Sequence, residues 1–136
     1  MDTPWLGPHA AYVLTSLGIA ALLASLAWYA WRRRTTPGAT LFAGLMVAMA
    51  WCAVMGAIEY ALPAQQLPAK VLATKFYTIG SAAAAVLIFL FAAQYSHHDQ
   101  WFTRKRQWLL WLPVVLFGVL VFTNDWHKLY WSAISL

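Results

Sequence analysis

The chain has 136 residues, of which 62% are hydrophobic and 10% charged, and its formal net charge is +5. Soluble domains carry about 25% charged residues, so this composition indicates a membrane protein and leaves little for a water-soluble domain. The positive charges lie in short clusters between apolar runs, where they bear on membrane topology and do not indicate a nucleic-acid partner.

Four apolar runs follow one another along the chain and predict four transmembrane helices. They cover about residues 9–31, 40–62, 71–95 and 107–123. About 20 helical residues, each rising about 1.5 Å, cross the roughly 30 Å hydrocarbon core of a bilayer. The connecting loops are short, so antiparallel neighbours are expected, and the fold class is a single all-α bundle over residues 1–136.

Basic residues flank these runs asymmetrically. No lysine or arginine precedes the first run, whereas Arg32, Arg33 and Arg34 follow it directly, and a second basic triplet at residues 104–106 precedes the fourth. Short cytoplasmic loops are enriched in lysine and arginine, so we expect both triplets inside and both termini outside.

Two ionisable residues lie inside the predicted spans, near their outer ends. Glu59 falls about one turn before the end of the second run, and Lys75 falls in the first turns of the third. A charge in the bilayer core costs at least about 2.5–3.5 kcal/mol, so such groups pair, face water or extend to the interface. We expect an ion pair of Glu59 with Lys75 or Lys70, or else a role in ligand or proton binding.

Small residues recur every four positions in the second run, at Gly44, Ala48, Cys52 and Gly56. Gly80 begins a similar small-residue stretch in the third run. Such residues let helix backbones approach closely. The pattern predicts helix packing within the bundle or a contact face for another subunit.

No catalytic Ser/His/Asp set, phosphate-binding glycine loop or paired cysteine is found in the sequence, so we expect no enzyme, no catalytic residue and no cofactor. His97, His98 and Asp99 are adjacent in a loop and predict a solvated segment instead of a metal site.

The segment after the fourth run carries polar residues of its own. Asn124 is expected to end the fourth helix in a left-handed conformation, which asparagine tolerates. Trp126, Tyr130 and Trp131 would anchor the segment at the outer interface. His127 would then face the mouth of the bundle near the level of Glu59, or else the segment is an anchor only.

Several short segments occur in an order that resembles the N-terminal seven-transmembrane region of bacterial histidine kinases. They are Trp51 with Glu59-Tyr60, then Lys75-Phe76-Tyr77-Thr78-Ile79-Gly80, then Phe91-Ala92-Ala93-Gln94-Tyr95-Ser96, then Pro113, and finally Thr123-Asn124-Asp125-Trp126-His127-Lys128-Leu129-Tyr130-Trp131. Within them, the candidate ion-pair or ligand contacts are Glu59, Lys75, Tyr77, Asn124 and His127.

The chain departs from that family in two ways. Ser81 and the alanines at 82–85 stand where the family usually has a proline, and the sequence covers only about the first four of seven helices. The resemblance implies a multi-pass sensory or ligand-binding input module of the bacterial cytoplasmic membrane, without a catalytic domain and acting through a partner. The ligand is not identified.

The same features are consistent with two other functions. One is a small accessory subunit of a larger membrane complex, in contact with the lipid bilayer and with other transmembrane helices or subunits. The other is a transport half-unit that uses Glu59 and Lys75 as ion-coupling groups.

Overall fold

The computed structural model of the chain describes residues 8–96 and 104–128, which are all-helical and contain no strand. The helices are α1 (Pro8–Arg32), α2 (Ala39–Ala61), α3 (Leu67–Tyr95), α4 (Arg104–Phe122) and the short α5 (Asn124–His127). The four long helices are each long and apolar enough to cross a membrane. The predicted spans are therefore confirmed as helices, while insertion and orientation stay predictions.

Helix α3 begins four residues earlier than the hydropathy pattern predicts. It starts at Leu67 and carries Pro68 in its first turn. Proline is tolerated there because the first helical N–H groups have no intrahelical acceptor. The backbone N–H of Lys70 donates to the carbonyl of Gln66 at 3.1 Å, so Lys70 belongs to the helix and not to the preceding loop.

The turn between α1 and α2 depends on Gly38. Its φ of 82° lies in the left-handed region, and a Cβ there would lie 3.3 Å from the ring of Phe91 on α3. Glycine meets both demands because it has no side chain. The start of α2 is thereby held against the end of α3, where Phe42 and Phe91 have ring centroids 6.0 Å apart.

The long helices pack in chain order. In the described part of the chain, extensive contacts join only α1 to α2, α2 to α3 and α3 to α4. In the most hydrophobic 18-residue segment of each helix, 28% of the residues are buried in α2 but only 6% in α4. Among the described residues, the expected four-helix bundle is therefore an open row, with α2 and α3 inside it and α1 and α4 at its edges.

The core of this row lies between α1 and α2 and is covered by α3. Ala27, Leu45 and Met46 form a buried cluster, and Phe42 of α2 and Leu87 of α3 are among the side chains packed against it. In a bilayer, where lipid tails are as apolar as these side chains, close packing rather than water exclusion would hold the helices together.

The chain bends after α4 at Thr123, and a single turn of helix, α5, follows. Lys128 takes the left-handed conformation, with φ 47° and ψ 28°. The prediction that Asn124 would take that conformation is wrong, because Asn124 is the first residue of α5. The left-handed residue that ends the helix comes four positions later, where the backbone N–H of Lys128 donates to the carbonyl of Asn124.

Candidate functional site

Polar side chains of three helices meet at the end of the molecule opposite the arginines, which we call the Glu59 end. A pocket of about 400 Å³ lies there between the start of α1, the end of α2 and the first turn of α3. Its lining residues, which define the Glu59 pocket, are His9, Glu59, Tyr60, Ala61, Leu62, Pro63, Ala64 and Lys70.

An aromatic pair supports one wall of the Glu59 pocket. The ring centroids of Tyr12 and Tyr60 are 4.1 Å apart, and His9 lies 6.4 Å from Tyr60. One turn earlier on α2, a Cβ on Gly56 would lie 3.6 Å from the hydroxyl of Tyr12. The small residue at 56 thus lets α1 approach α2 beside the pocket, and the paired rings fix the position of Tyr60.

The pocket combines opposite charges. Glu59 and Lys70 are both partly buried and line the same space. A carboxylate accepts hydrogen bonds, an ammonium donates up to three, and the imidazole of His9 can do either. This placement favours Lys70 over Lys75 as the partner of Glu59, while the pair with Lys75 stays a prediction.

Lys75 lies in a different environment, at the contact of α3 with the end of α4. It is only 5% exposed, and its Nζ lies 5.8 Å from the centroid of the Phe122 ring. The Phe122 ring meets Phe76 edge-on with centroids 5.6 Å apart. Attraction between a cation and an aromatic face offsets part of the cost of burying the ammonium.

Asn124 follows Phe122 by two residues and is also only 5% exposed. We call Lys75, Phe76 and Phe122 the Lys75 cluster. Sequence reasoning identified Lys75 and Asn124 separately, whereas it did not identify Phe122. In the structure both polar residues are buried, Lys75 on α3 and Asn124 at the start of α5.

His127 is exposed and bonds back to the bend before α5. Its Nε2 lies 2.8 Å from Oγ1 of Thr123. That hydroxyl is also within hydrogen-bond distance of the carbonyl of Val119, at 2.7 Å, and it can donate to this carbonyl while it accepts from an Nε2–H of His127. The role of His127 in ligand contact stays a prediction.

A close helix contact joins the middle of α2 to α3. The indole N–H of Trp51 donates to the carbonyl of Phe76 at 3.2 Å, and Sγ of Cys52 lies 3.7 Å from the carbonyl of Tyr77. A Cβ on Gly80 would lie 2.7 Å from Cδ1 of Trp51 and 2.9 Å from Sγ of Cys52. We call these five residues the Gly80 crossing.

Tyr77, a candidate ligand contact, therefore contributes its backbone carbonyl to this crossing, while its side chain is exposed. Trp51, which was named only as part of the resemblance to the family, makes a specific hydrogen bond. The sequence could have predicted this hydrogen bond, because an indole N–H in an apolar span needs an acceptor.

The stripe of small residues on α2 is divided between two neighbours. A Cβ on Gly44 would contact Leu87 of α3 at 3.6 Å, and Cys52 also faces α3, whereas Gly56 faces α1. Each step of four residues rotates the direction by about 40° on a helix of 3.6 residues per turn. A four-residue repeat therefore winds from one neighbouring helix to the other. Ala48, between these positions, is partly buried.

The predicted loop residues His97, His98 and Asp99 lie outside the described residues, as do Tyr130 and Trp131. Within residues 8–96 and 104–128, no group of three or more His, Cys, Asp or Glu side chains is placed to hold a metal ion.

These features define a helical protein of membrane type with a polar pocket and a buried cation near one end. The family model described as the N-terminal 7TM region of histidine kinase matches residues 15–136. The match covers most of the sequence, so the chain belongs to this family, whose region is the sensor input part and not the catalytic part of those kinases. No curated protein and no solved structure matches the chain.

The matched range contains Glu59, Lys70, Lys75 and Gly80, whereas His9 of the Glu59 pocket precedes it. The resemblance recognised from short segments is therefore confirmed at the level of the family. The roles of the individual site residues stay predictions.

Proposed function

We propose that the chain is a membrane-embedded input module that receives a signal at the Glu59 end and transmits it through its helices. The observation that carries this proposal is membership in the histidine kinase input family. We place the module in the bacterial cytoplasmic membrane with the Glu59 end outside, because the basic triplets occupy the opposite loops.

The Glu59 pocket is the proposed point of reception. It offers a carboxylate from α2, an ammonium from α3 and an imidazole from α1. A small polar ligand bound between these groups would contact all three helices. It would change the balance between two helix arrangements only if it bound one of them more tightly.

The proposed route of transmission runs from α3 to α4. Trp51 and Gly80 hold α2 and α3 closely together, so these helices would shift as a pair. Helix α4 contacts α3 through the ring of Phe122 and is the least buried of the four long helices. A shift of the pair would therefore change the position of α4 at the Lys75 cluster.

A melting experiment on the purified whole chain tests reception. Zwitterionic amino acids, organic acids and amines would each be added to the protein in detergent. A ligand at 100 times its Kd stabilises the folded state by about 2.7 kcal/mol. We expect one class to raise the melting temperature, and Glu59→Gln and Lys70→Met to abolish the rise.

The matched control is Lys128→Met, which removes an exposed lysine outside the pocket and should preserve the response. Reception at the pocket is rejected if no class raises the melting temperature, or if both pocket variants respond like the wild type.

Transmission needs a separate measurement in the native assembly. Phosphorylation of histidine on the kinase of that assembly would be measured in host membranes. The measurement would be made with and without the ligand that raised the melting temperature. A change that disappears in Glu59→Gln supports an input role, whereas unchanged phosphorylation despite binding argues against it.

The open row of helices favours a second candidate, an accessory subunit of a larger membrane complex. Helix α4 leaves most of its apolar surface uncovered within the described residues, and other transmembrane helices would pack there. Recovery of a stable stoichiometric partner after mild detergent extraction would support this candidate. Ion flux into liposomes that depends on Glu59 and Lys75 would instead support a transport half-unit.

A further inference from the structure

A groove with an apolar lining runs between α1 and α2 and has a volume of about 630 Å³. Much of its lining consists of small residues, at Ala20, Ala24, Ala27, Ala43, Gly44 and Ala50. Larger side chains at the alanine positions would fill the space between the helices, so the groove exists because both helices carry alanine there.

The groove is shorter than a membrane span. Its lining extends along α1 from Trp31, beside the arginines, to Ala20, and along α2 from Thr40 to Val54. These stretches correspond to about 16 Å and about 21 Å of helix, whereas a whole bilayer core is about 30 Å and one leaflet about 15 Å. Beyond the groove, Tyr12 and Tyr60 bring α1 and α2 together, with ring centroids 4.1 Å apart. A lipid chain from one leaflet fits this length, whereas a membrane-spanning helix would need a longer groove.

Two exposed cations lie at the groove's mouth. The guanidinium of Arg32 lies 5.3 Å from the Trp28 ring, and that of Arg34 lies 5.9 Å from the Trp31 ring. Both tryptophans also line the groove. Arg33, between them in sequence, lies 4.9 Å from the ring of Tyr29, which is not among the lining residues. The aromatic rings thus hold guanidinium groups at the end where a lipid head group would lie.

We propose that this groove is a binding site for an anionic phospholipid. One acyl chain lies along these alanines between α1 and α2, and the phosphate contacts the guanidinium groups of Arg32 and Arg34. Guanidinium is suited to this role because its fork of donors matches a phosphate oxygen pair. The bound lipid fills the space between the two helices and fixes their spacing on the arginine side of the membrane.

Native mass spectrometry of the whole chain tests the proposal. The protein would be titrated with phosphatidylglycerol and with phosphatidylcholine of the same acyl chains. Two cations near an anionic head group should give a preference of about tenfold for phosphatidylglycerol. Equal retention of the two lipids would overturn the assignment of the arginines.

Two variants separate the chain site from the head-group site. Ala24→Leu fills the groove from an exposed position, so it should reduce retention of both lipids without disturbing the core. Its control is Ala21→Leu, at an exposed position of α1 outside the groove, which should bind like the wild type. Normal binding by Ala24→Leu, with its helicity unchanged by circular dichroism, would overturn the groove as the acyl-chain site.

The triple variant Arg32→Gln, Arg33→Gln, Arg34→Gln should lose the preference for phosphatidylglycerol while still retaining lipid. Its control, Lys105→Gln with Arg106→Gln, changes exposed basic residues at the start of α4 and should keep the preference. A preference kept by the triple variant, or lost equally in the control, contradicts the proposal.

Two further measurements exclude other occupants. Soluble glycerol phosphate should not displace the bound lipid, and displacement at similar concentrations would indicate a site for free phosphate instead. Ala24→Cys in a Cys52→Ala background should not form disulfide-linked dimers in native membranes. Efficient dimer formation would assign the groove to a second copy of the chain and overturn the lipid site.

Discussion

The contacts of α3 with its two neighbours are built from different interactions. Toward α2, it offers Gly80 and two backbone carbonyls, which Trp51 and Cys52 approach closely. Toward α4, it offers Phe76 and Lys75, which meet the ring of Phe122.

The two contacts therefore fix the positions of the helices to different degrees. A side chain that fits over a glycine and bonds to one carbonyl fixes both the register and the rotation of the helix. A ring beside a ring and a cation tolerates small displacements, because these attractions vary gradually with distance. We therefore expect α2 and α3 to behave as one unit and α4 to be the more movable helix.

Adding a methyl group at the Gly80 crossing should have the largest effect. In Gly80→Ala the new Cβ would lie 2.7 Å from Cδ1 of Trp51. Overpacking of this kind should lower the free energy of unfolding by about 2–3 kcal/mol in a detergent melt.

The control for this variant is Gly18→Ala, where a Cβ would meet nothing within 4 Å. In a helix interior alanine is favoured over glycine by roughly 0.5–1 kcal/mol, so the control should be neutral or stabilised. Equal stability of the two variants would contradict a tight α2–α3 contact.

Replacing the Phe122 ring of the Lys75 cluster by a smaller side chain should destabilise the protein less, with the effect confined to α4. Phe122→Leu removes the edge-on contact with Phe76 and the aromatic face near Lys75, at a cost of about 1–2 kcal/mol. Hydrogen exchange should become faster in α4 and stay unchanged at the Gly80 crossing.

Leu116→Ala, at a position 55% exposed on α4, is the comparison for that variant and should change exchange little. Faster exchange throughout α2 and α3 in Phe122→Leu would show that α4 is not separable from the pair.

A double-mutant cycle measures how α2 and α3 are linked at the Glu59 pocket. Glu59→Gln combined with Lys70→Met should show a coupling of about 0.5–1 kcal/mol, because both groups are only partly buried. The cycle of Glu59→Gln with Lys75→Met should be additive, since Lys75 lies against α4. If Glu59 is coupled to Lys75 and not to Lys70, the result would support the Glu59–Lys75 pair that the sequence suggested.

The smallest effect on stability is expected at α5. His127→Ala removes one exposed hydrogen bond to Thr123, worth about 0.5 kcal/mol. If the segment takes part in signalling, histidine phosphorylation in the native assembly should change although melting does not. Unchanged phosphorylation would mean that α5 only anchors α4. The control is Lys128→Ala, at the neighbouring position.

Much of the fold could be predicted from the sequence. Hydropathy placed the four long helices within a few residues of their observed bounds, except at the start of α3, where Pro68 was assigned to the loop. The short helix α5 was missed, because four residues give no measurable periodicity and its left-handed end falls on Lys128 instead of on asparagine.

Hydropathy, charge and short motifs are properties of local sequence, so they were enough to predict the helices, the basic clusters and the family. Which side chains lie together depends on packing: Glu59 and Lys70 line one pocket, Lys75 lies near Phe122, and Trp51 lies over Gly80. Those pairings depend on how far each helix is rotated and shifted against its neighbour. A rotation of about 40° for every four residues is enough to direct one stripe toward two different helices, and only packing sets that angle.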